Sequence, residues 1–511
     1  MSRTLSCSPP YSPLRAALPR AAFCCAVSAA FLLSACAVYH AQPLPSGDSL
    51  LTQDALARVQ IDPAKMPLPE LAAHRFDPSA GFDMEDVAML AVANNPDLKL
   101  ARDDLGIAQA QAFSAGLLPD PQVSIASDYP GAAGFSRAFS YGLSMDVMAI
   151  VTRSANKKSA DATVRKTDLG LLWQEWQVVA QARQLFVKAR FQDETLPLLE
   201  QQAELAHTRY ARTAHAASEH NVSADTATAA LTAWEDARKQ YTDMQHAREQ
   251  TRHDLNALLG LAPDVDLPLT GAQTVAPLDA PTLDAAVAAL PKRRPDLIAL
   301  QAGYEAQEQK YRAAILNQFP SLSVGFTRQR DTSEIYTSGF AINLTLPVFN
   351  RNRGNIAIEQ ATRQHLADEY QNRLNAAYAD IAHLRADSAI AAQQLAQDEA
   401  ALPELDRAAA NAHDAYMARD IVLGQYVDAQ SAALARQVDA ATEREALAEQ
   451  RIALQALLGS AIPDPYGDAR ANASADAPAP RRAASAAASS ESVHNAASAS
   501  AGAATNATVT R

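Results

Sequence analysis

The side chains able to do chemistry in this 511-residue chain are few and unevenly placed. Its four cysteines, Cys7, Cys24, Cys25 and Cys36, all fall at the N-terminal end, so the rest of the chain can hold no disulfide and no thiolate metal centre. Arg3, Arg15 and Arg20 precede an apolar run, "AAFCCAVSAAFLLSAC" at 21–36. Basic region, apolar region, then small residues read as a secretory signal over 1–35, too short for a membrane-spanning helix. "LSAC" at 33–36 fits a bacterial lipobox, in which the Cys36 thiol is acylated after cleavage. Ala37 rather than Asp behind it points to the outer membrane. The 11 histidines are scattered. His246 and His253 share a helix face, and His207, His215 and His220 lie towards the first break in the helical pattern, but all read as helix-surface residues. There is no G-x-S-x-G, Walker A, H-E-x-x-H or G-x-G-x-x-G. No catalytic residue, cofactor or metal is expected.

What the chain does offer is pattern. In "GFAINLTLPVF" (339–349), Phe340, Ile342, Leu344 and Leu346 share one face of an extended chain, and Ala341, Asn343 and Thr345 share the other. Phe139, Tyr141, Leu143, Met145 and Val147 alternate in the same way with Ser140, Gly142, Ser144 and Asp146. Four such strands are expected, at 122–129, 138–148, 321–328 and 337–348. Two hairpins on a soluble core would alternate likewise. The strand lengths, the small polar second face and the lipobox favour a transmembrane β-barrel. Four strands cannot close, and an open edge in lipid leaves backbone groups unpaired. Several chains must therefore share one barrel: two chains would give eight strands and a side-chain-filled interior, and three would give twelve strands and an open bore.

The strands sit within a duplication. "NNPDL" (94–98) recurs as "RRPDL" (293–297), and "DPQVSIA" (120–126) aligns with "FPSLSVG" (319–325). "YGLSMDVMAI" (141–150) matches "FAINLTLPVF" (340–349), and "LNALLG" (255–260) matches "LQALLG" (454–459). All four landmarks keep one register. Repeats are assigned to 81–262 and 282–461, with linkers at 36–80 and 263–281. Each repeat reads as a helix (83–116; 282–317), two strands, a long helix from near Arg153 or Gly354, a break at 216–224 or 416–423, and a last helix ending at Gly260 or Gly459. The long helices would span roughly 95 Å and the others roughly 50 Å, so two short helices end to end match one long one. Helices of such length need lateral packing throughout. The fold class is mainly α with a small β part: a long α-helical barrel carrying strands at one end. Pro197 and Pro403 should kink or break their helices. Residues 468–511, rich in Ala and Ser without periodicity, read as disordered. The net charge of −13, with no basic aromatic patch, argues against nucleic acid.

Over about residues 50–465 these features resemble the TolC-like family of outer-membrane efflux proteins, in its lipidated branch. The carriers are the two "PDL" helix starts, "GLLPDPQVSI" with "QFPSLSVGF", "LPVFNRNRG", and "YMARDIVLGQYVDAQ" (416–430). The resemblance implies a homotrimer with a twelve-stranded barrel in outer-membrane lipid and a helical tunnel across the periplasm. It also implies docking to a periplasmic adaptor and an inner-membrane pump of the resistance-nodulation-division type, for small molecules or heavy-metal cations. "LPVFNRNRG" looks most like the metal-exporting branch. Segments 37–80, 261–281 and 460–467 would form a belt around the tunnel.

By motif position, the adaptor-facing tips fall at His220-Asn221 and Arg419-Asp420, where the family commonly has glycine. Asn and Asp tolerate left-handed backbone and would supply the turn. The family's periplasmic aperture maps onto Asp428 as an aperture acid and Tyr416 as a link residue. Gln425 replaces a second acid, and Thr226 stands at a linking acid's place with Asp225 beside it. Three symmetry-related Asp428 carboxylates would repel each other and attract cations. A protein-secretion exit duct of the type I kind and a poreless periplasmic coiled-coil scaffold lipoprotein remain the alternatives.

Overall fold

Proline and side-chain caps set where the helices begin. In the computed structural model, which describes residues 39–459 apart from 48 and 132, the run expected over 83–116 is two helices, α1 (Met84–Asn94) and α2 (Pro96–Gly116). The second repeat divides in the same way into α5 (Ala280–Arg293) and α6 (Pro295–Leu316). Each proline is the first residue of the second helix, and the residue before it is driven out of helical geometry (ψ 128° at Asn95, 117° at Arg294). Asn95 also caps α2 by accepting the Leu98 N–H.

The strands are β1 (Gln122–Asp128), β2 (Ala138–Asp146), β3 (Ser321–Arg330) and β4 (Tyr336–Thr345). The expected second strand was too long by two residues. The Asp146 carboxylate accepts the N–H groups of Met148 and Ala149, so the long helix α3 (Val147–Ser218) starts there rather than near Arg153. In the second repeat the strand stops before "LPVFNRN", and α7 runs over Arg353–Met417. After the tips come α4 (Ala224–Leu258) and α8 (Leu423–Leu458). Both α3 and α7 continue through Pro197 and Pro403, so neither proline breaks its helix. Lateral packing along neighbouring helices holds the turn that lacks one hydrogen bond.

The 72 residues of α3 span about 108 Å at the usual rise. It lies against α2, α4, α6 and α8, and α7 lies against α6 and α8. Much of the buried surface between them is alanine: Ala155, Ala162, Ala203, Ala230 and Ala237 on α3 and α4, Ala299, Ala302 and Ala306 on α6. A methyl side chain lets two backbones approach closely, but it buries little area. Large side chains collect at one level instead. Phe186 and Phe191 of α3 meet Val87 and Leu90 of α1, Leu255 and Leu259 at the end of α4, and Ile452 of α8. The stretches on either side of the repeat wrap this level, with Leu51 bridged to Leu261 and Phe82 to Leu269. Gly260 and Gly459, at φ +63° and +70°, turn the chain away from α4 and α8.

Among the described residues no helix is long and apolar enough to cross a membrane. The four strands form one antiparallel sheet in the order β1-β2-β3-β4.

Candidate functional site

Residues directly opposite in an antiparallel pair project to the same face, so register decides whether a sheet has two distinct surfaces. Here it does. Val123, Leu143, Phe326 and Phe340 form one continuous cross-strand row, and Met145, Val324 and Ile342 form the next. Between them on the other face run Ser144, Gly325 and Ala341, then Ser124, Gly142, Thr327 and Gly339. The apolar rows are bare: Phe340 is 89% and Ile342 70% exposed. β1 and β4 each keep one unpaired edge. A sheet with one uncovered apolar face, one small polar face and two open edges is not a finished structure in water.

A second cluster lies at the far ends of the long helices. Each tip is a five-residue turn, 219–223 and 418–422, tighter than the expected 216–224 and 416–423. The left-handed residues are His220 (φ 61°) and Arg419 (φ 68°), not Asn221 and Asp420 as the residue types suggested. The reason is backbone pairing. His220 N–H donates to Ala217 and Asn221 N–H to Ala216, and Arg419 and Asp420 repeat the pair with Tyr416 and Ala415. That motif fixes the left-handed position one residue earlier, whatever occupies it. Ser223 caps α4 by accepting the Thr226 N–H, and the two hydroxyls lie 2.8 Å apart. Asp225 sits exposed in the first turn of α4.

Just above the tips the two repeats are tied together. Arg209 of α3 donates to the Asp428 carboxylate of α8. One turn on, Arg212 donates to the Tyr416 hydroxyl of α7 at 2.6 Å. Tyr416 stacks on Tyr426 with ring centroids 4.9 Å apart, and His413 lies 5.8 Å from Tyr426. Asp428 and Gln425 are both exposed, three residues apart on one helix face. Asp428 and Tyr416 thus come together through two arginines, whereas among the described residues Gln425, Asp225 and Thr226 make no hydrogen bond to them. Sequence reasoning missed Arg209 and Arg212. Their spacing of three, on the long helix just before a tip, was the available signal.

The histidines do not converge. His207 lies 4.7 Å from the Trp234 ring, and His215 is 3.4 Å from Glu219. His74, Asp83 and Asp86 do cluster, with His74 Nε2 3.1 Å from Asp86 Oδ1 and 3.6 Å from Asp83 Oδ1. Their carboxylates are already engaged in a reciprocal cap of α1: Asp83 accepts from the N–H groups of Glu85 and Asp86, and Asp86 accepts from Asp83 N–H. Cys36 lies outside the described residues.

One titration stands out along the helices. Burial, then the nearby Glu449 charge, pushes the Glu445 carboxyl of α8 up to about 7, with Lys188 of α3 opposing. Because the folded state holds this proton more tightly than the unfolded chain, its contribution to stability is fully present below about pH 4.5 and is lost as pH rises through about 7. The melting temperature is therefore expected to rise on acidification from pH 8 to pH 6. Glu445→Gln should flatten that slope, as read by circular dichroism melts in detergent at each pH.

No protein-family model matches the sequence, and neither does any curated protein. Solved structures do. The chain is similar to CusC, described for its folding and transmembrane channel formation, at 19% identity and a TM-score of 0.60, covering 78% of this chain and 97% of that one. It is similar to the CmeC outer membrane channel of Campylobacter jejuni at 16% identity and a TM-score of 0.62, covering 86% and 98%. It is also similar to the outer-membrane channel OprN at 17% identity and a TM-score of 0.61, covering 83% and 99%. With a mainly helical body, one small antiparallel sheet and near-complete coverage of these structures, the chain has the fold of the outer-membrane channel proteins.

Proposed function

We propose that this protein is the outer-membrane exit duct of a tripartite efflux assembly. The observation that carries the reading is the sheet: four strands with continuous apolar rows on one face, small polar rows on the other, and two open edges. Pairing β4 of one chain with β1 of the next satisfies those edges, and three chains give a twelve-stranded barrel around an aqueous bore. The helices then form the periplasmic tunnel. Cys36 carries a lipid anchor. His220, Asn221, Arg419 and Asp420 at the tips meet a periplasmic adaptor, which links the duct to an inner-membrane pump. The cargo is small molecules or heavy-metal cations. No chemistry is performed on it.

The Arg209–Asp428 and Arg212–Tyr416 links hold the tip helices together and so favour a narrow aperture. Asp225, Thr226 and Gln425 line the same end. Exposed pairs contribute about 0.2–1 kcal/mol each, so six links in a trimer bias the closed state by roughly 1–6 kcal/mol. Planar-bilayer recordings test this. The unmodified trimer should show small conductance, and the Arg209→Ala/Arg212→Ala variant should raise open-state occupancy on the order of tenfold or more. A chain that is monomeric and water-soluble after delipidation would refute the duct.

A further inference from the structure

We propose that Arg328, with Tyr141 beside it, is a binding point for a phosphate of the anionic glycolipid (lipid A) in the outer leaflet. This rests on the outer-membrane reading above. Arg328 is exposed and belongs to the apolar face of the sheet, in the row formed by Ile125, Tyr141, Arg328 and Ser338. β3 is paired on both sides within the chain, so no neighbouring subunit's strand can cover it. A cation fixed on a lipid-facing surface must reach either water or an anion.

Height brings it to where lipid phosphates lie. From Leu344 to Ser338, the row of Arg328, six residues rise about 20 Å along the strand, or about 15 Å along the barrel axis at a tilt of about 40°. Below Leu344, on the helix side, the chain leaves the strand but stays apolar and exposed at Leu346 and Val348. Arg328 therefore stands at the outer margin of a band of about 25 Å, at headgroup depth.

Arg330, one row nearer the hairpin tip, shows the contrast. Its guanidinium donates to Glu334 at 2.6 Å and lies 5.9 Å from the rings of both Phe139 and Tyr336. That charge is balanced from within the protein. Arg328 has no acidic partner among the described residues, and its cross-strand neighbour brings a phenol rather than a carboxylate. A planar guanidinium takes a phosphate through two parallel hydrogen bonds, and the Tyr141 hydroxyl is a third donor within cross-strand reach.

The test uses the full-length trimer in nanodiscs and native mass spectrometry. Bisphosphorylated lipid A should bind about tenfold more tightly than its dephosphorylated form, and Arg328→Gln should remove that preference. Arg328→Lys should keep part of it, and Gln329→Ala on the opposite face should leave it intact. Equal binding of the two lipids, an unaffected Arg328→Gln variant, or inorganic phosphate competing fully at millimolar concentration would overturn the assignment. Heat-resistant trimers and conductance, measured on the same preparations, separate the failures. Inserted, conducting trimers without lipid discrimination sink this inference alone, and a chain that never inserts sinks it together with the duct.

Discussion

Val324→Arg should abolish assembly while Ser323→Arg, one residue away, should not. The two side chains leave β3 on opposite faces. Val324 sits in the apolar row between Met145 and Ile342, and Ser323 in the polar row between Asp146 and Asn343. An arginine facing lipid near the bilayer midplane costs about 2–4 kcal/mol per chain, so roughly 6–12 kcal/mol for three chains in one barrel. An arginine at Ser323 points into water beside the Asp146 carboxylate and should cost little. The readout is the yield of heat-resistant trimer in outer-membrane fractions. If the sheet were instead two hairpins resting on a soluble scaffold, Val324 is exposed enough that both variants would be tolerated to within about 0.5 kcal/mol. Equal yields would therefore remove the barrel.

The second large effect is expected at Phe186. Its side chain is fully buried where α1, α3, α4 and α8 meet. Removing a buried phenyl ring costs about 3–5 kcal/mol, a transfer term plus a cavity term, against a total stability of about 5–15 kcal/mol for an ordinary domain. Towards the start of α3 the buried residues are small, Thr152, Ala155, Ser159 and Ala162, with little area to compensate. Phe186→Ala should thus lower the melting temperature more than a substitution at any of the small buried residues along α3. Ala162→Ser on the same helix is the comparison, measured by the same melt.

The duplication was legible because it is a matter of spacing. Pro96 and Pro295, His220 and Arg419, and Gly260 and Gly459 all fall 199 residues apart, and in each pair the backbone does the same thing. The strand faces were legible too, because alternation survives whatever the partner strand is. Boundaries were not. Asp146 looks like a polar-face strand residue, and only its two hydrogen bonds to the following turn reveal that it ends the strand. Pro197 looks like a helix breaker, and whether neighbouring helices hold the chain through it is a tertiary fact. At the tips, residue preference pointed to Asn221 and Asp420, but a backbone motif set the left-handed position one residue earlier. Arg209 and Arg212 went unnoticed because their partners lie 219 and 204 residues away. Nothing in local pattern joins them.

The two junctions between sheet and helix differ in kind. In the first repeat β2 becomes α3 without an intervening residue, and in the second seven residues, 346–352, separate β4 from α7. A splice without slack transmits torque, and a leash absorbs it. A rotation of the helices against the sheet would therefore pass directly into β2 through α3, whereas the 346–352 segment would take it up before it reached β4. Two copies of one unit are thus mechanically unequal through the gain or loss of a few residues.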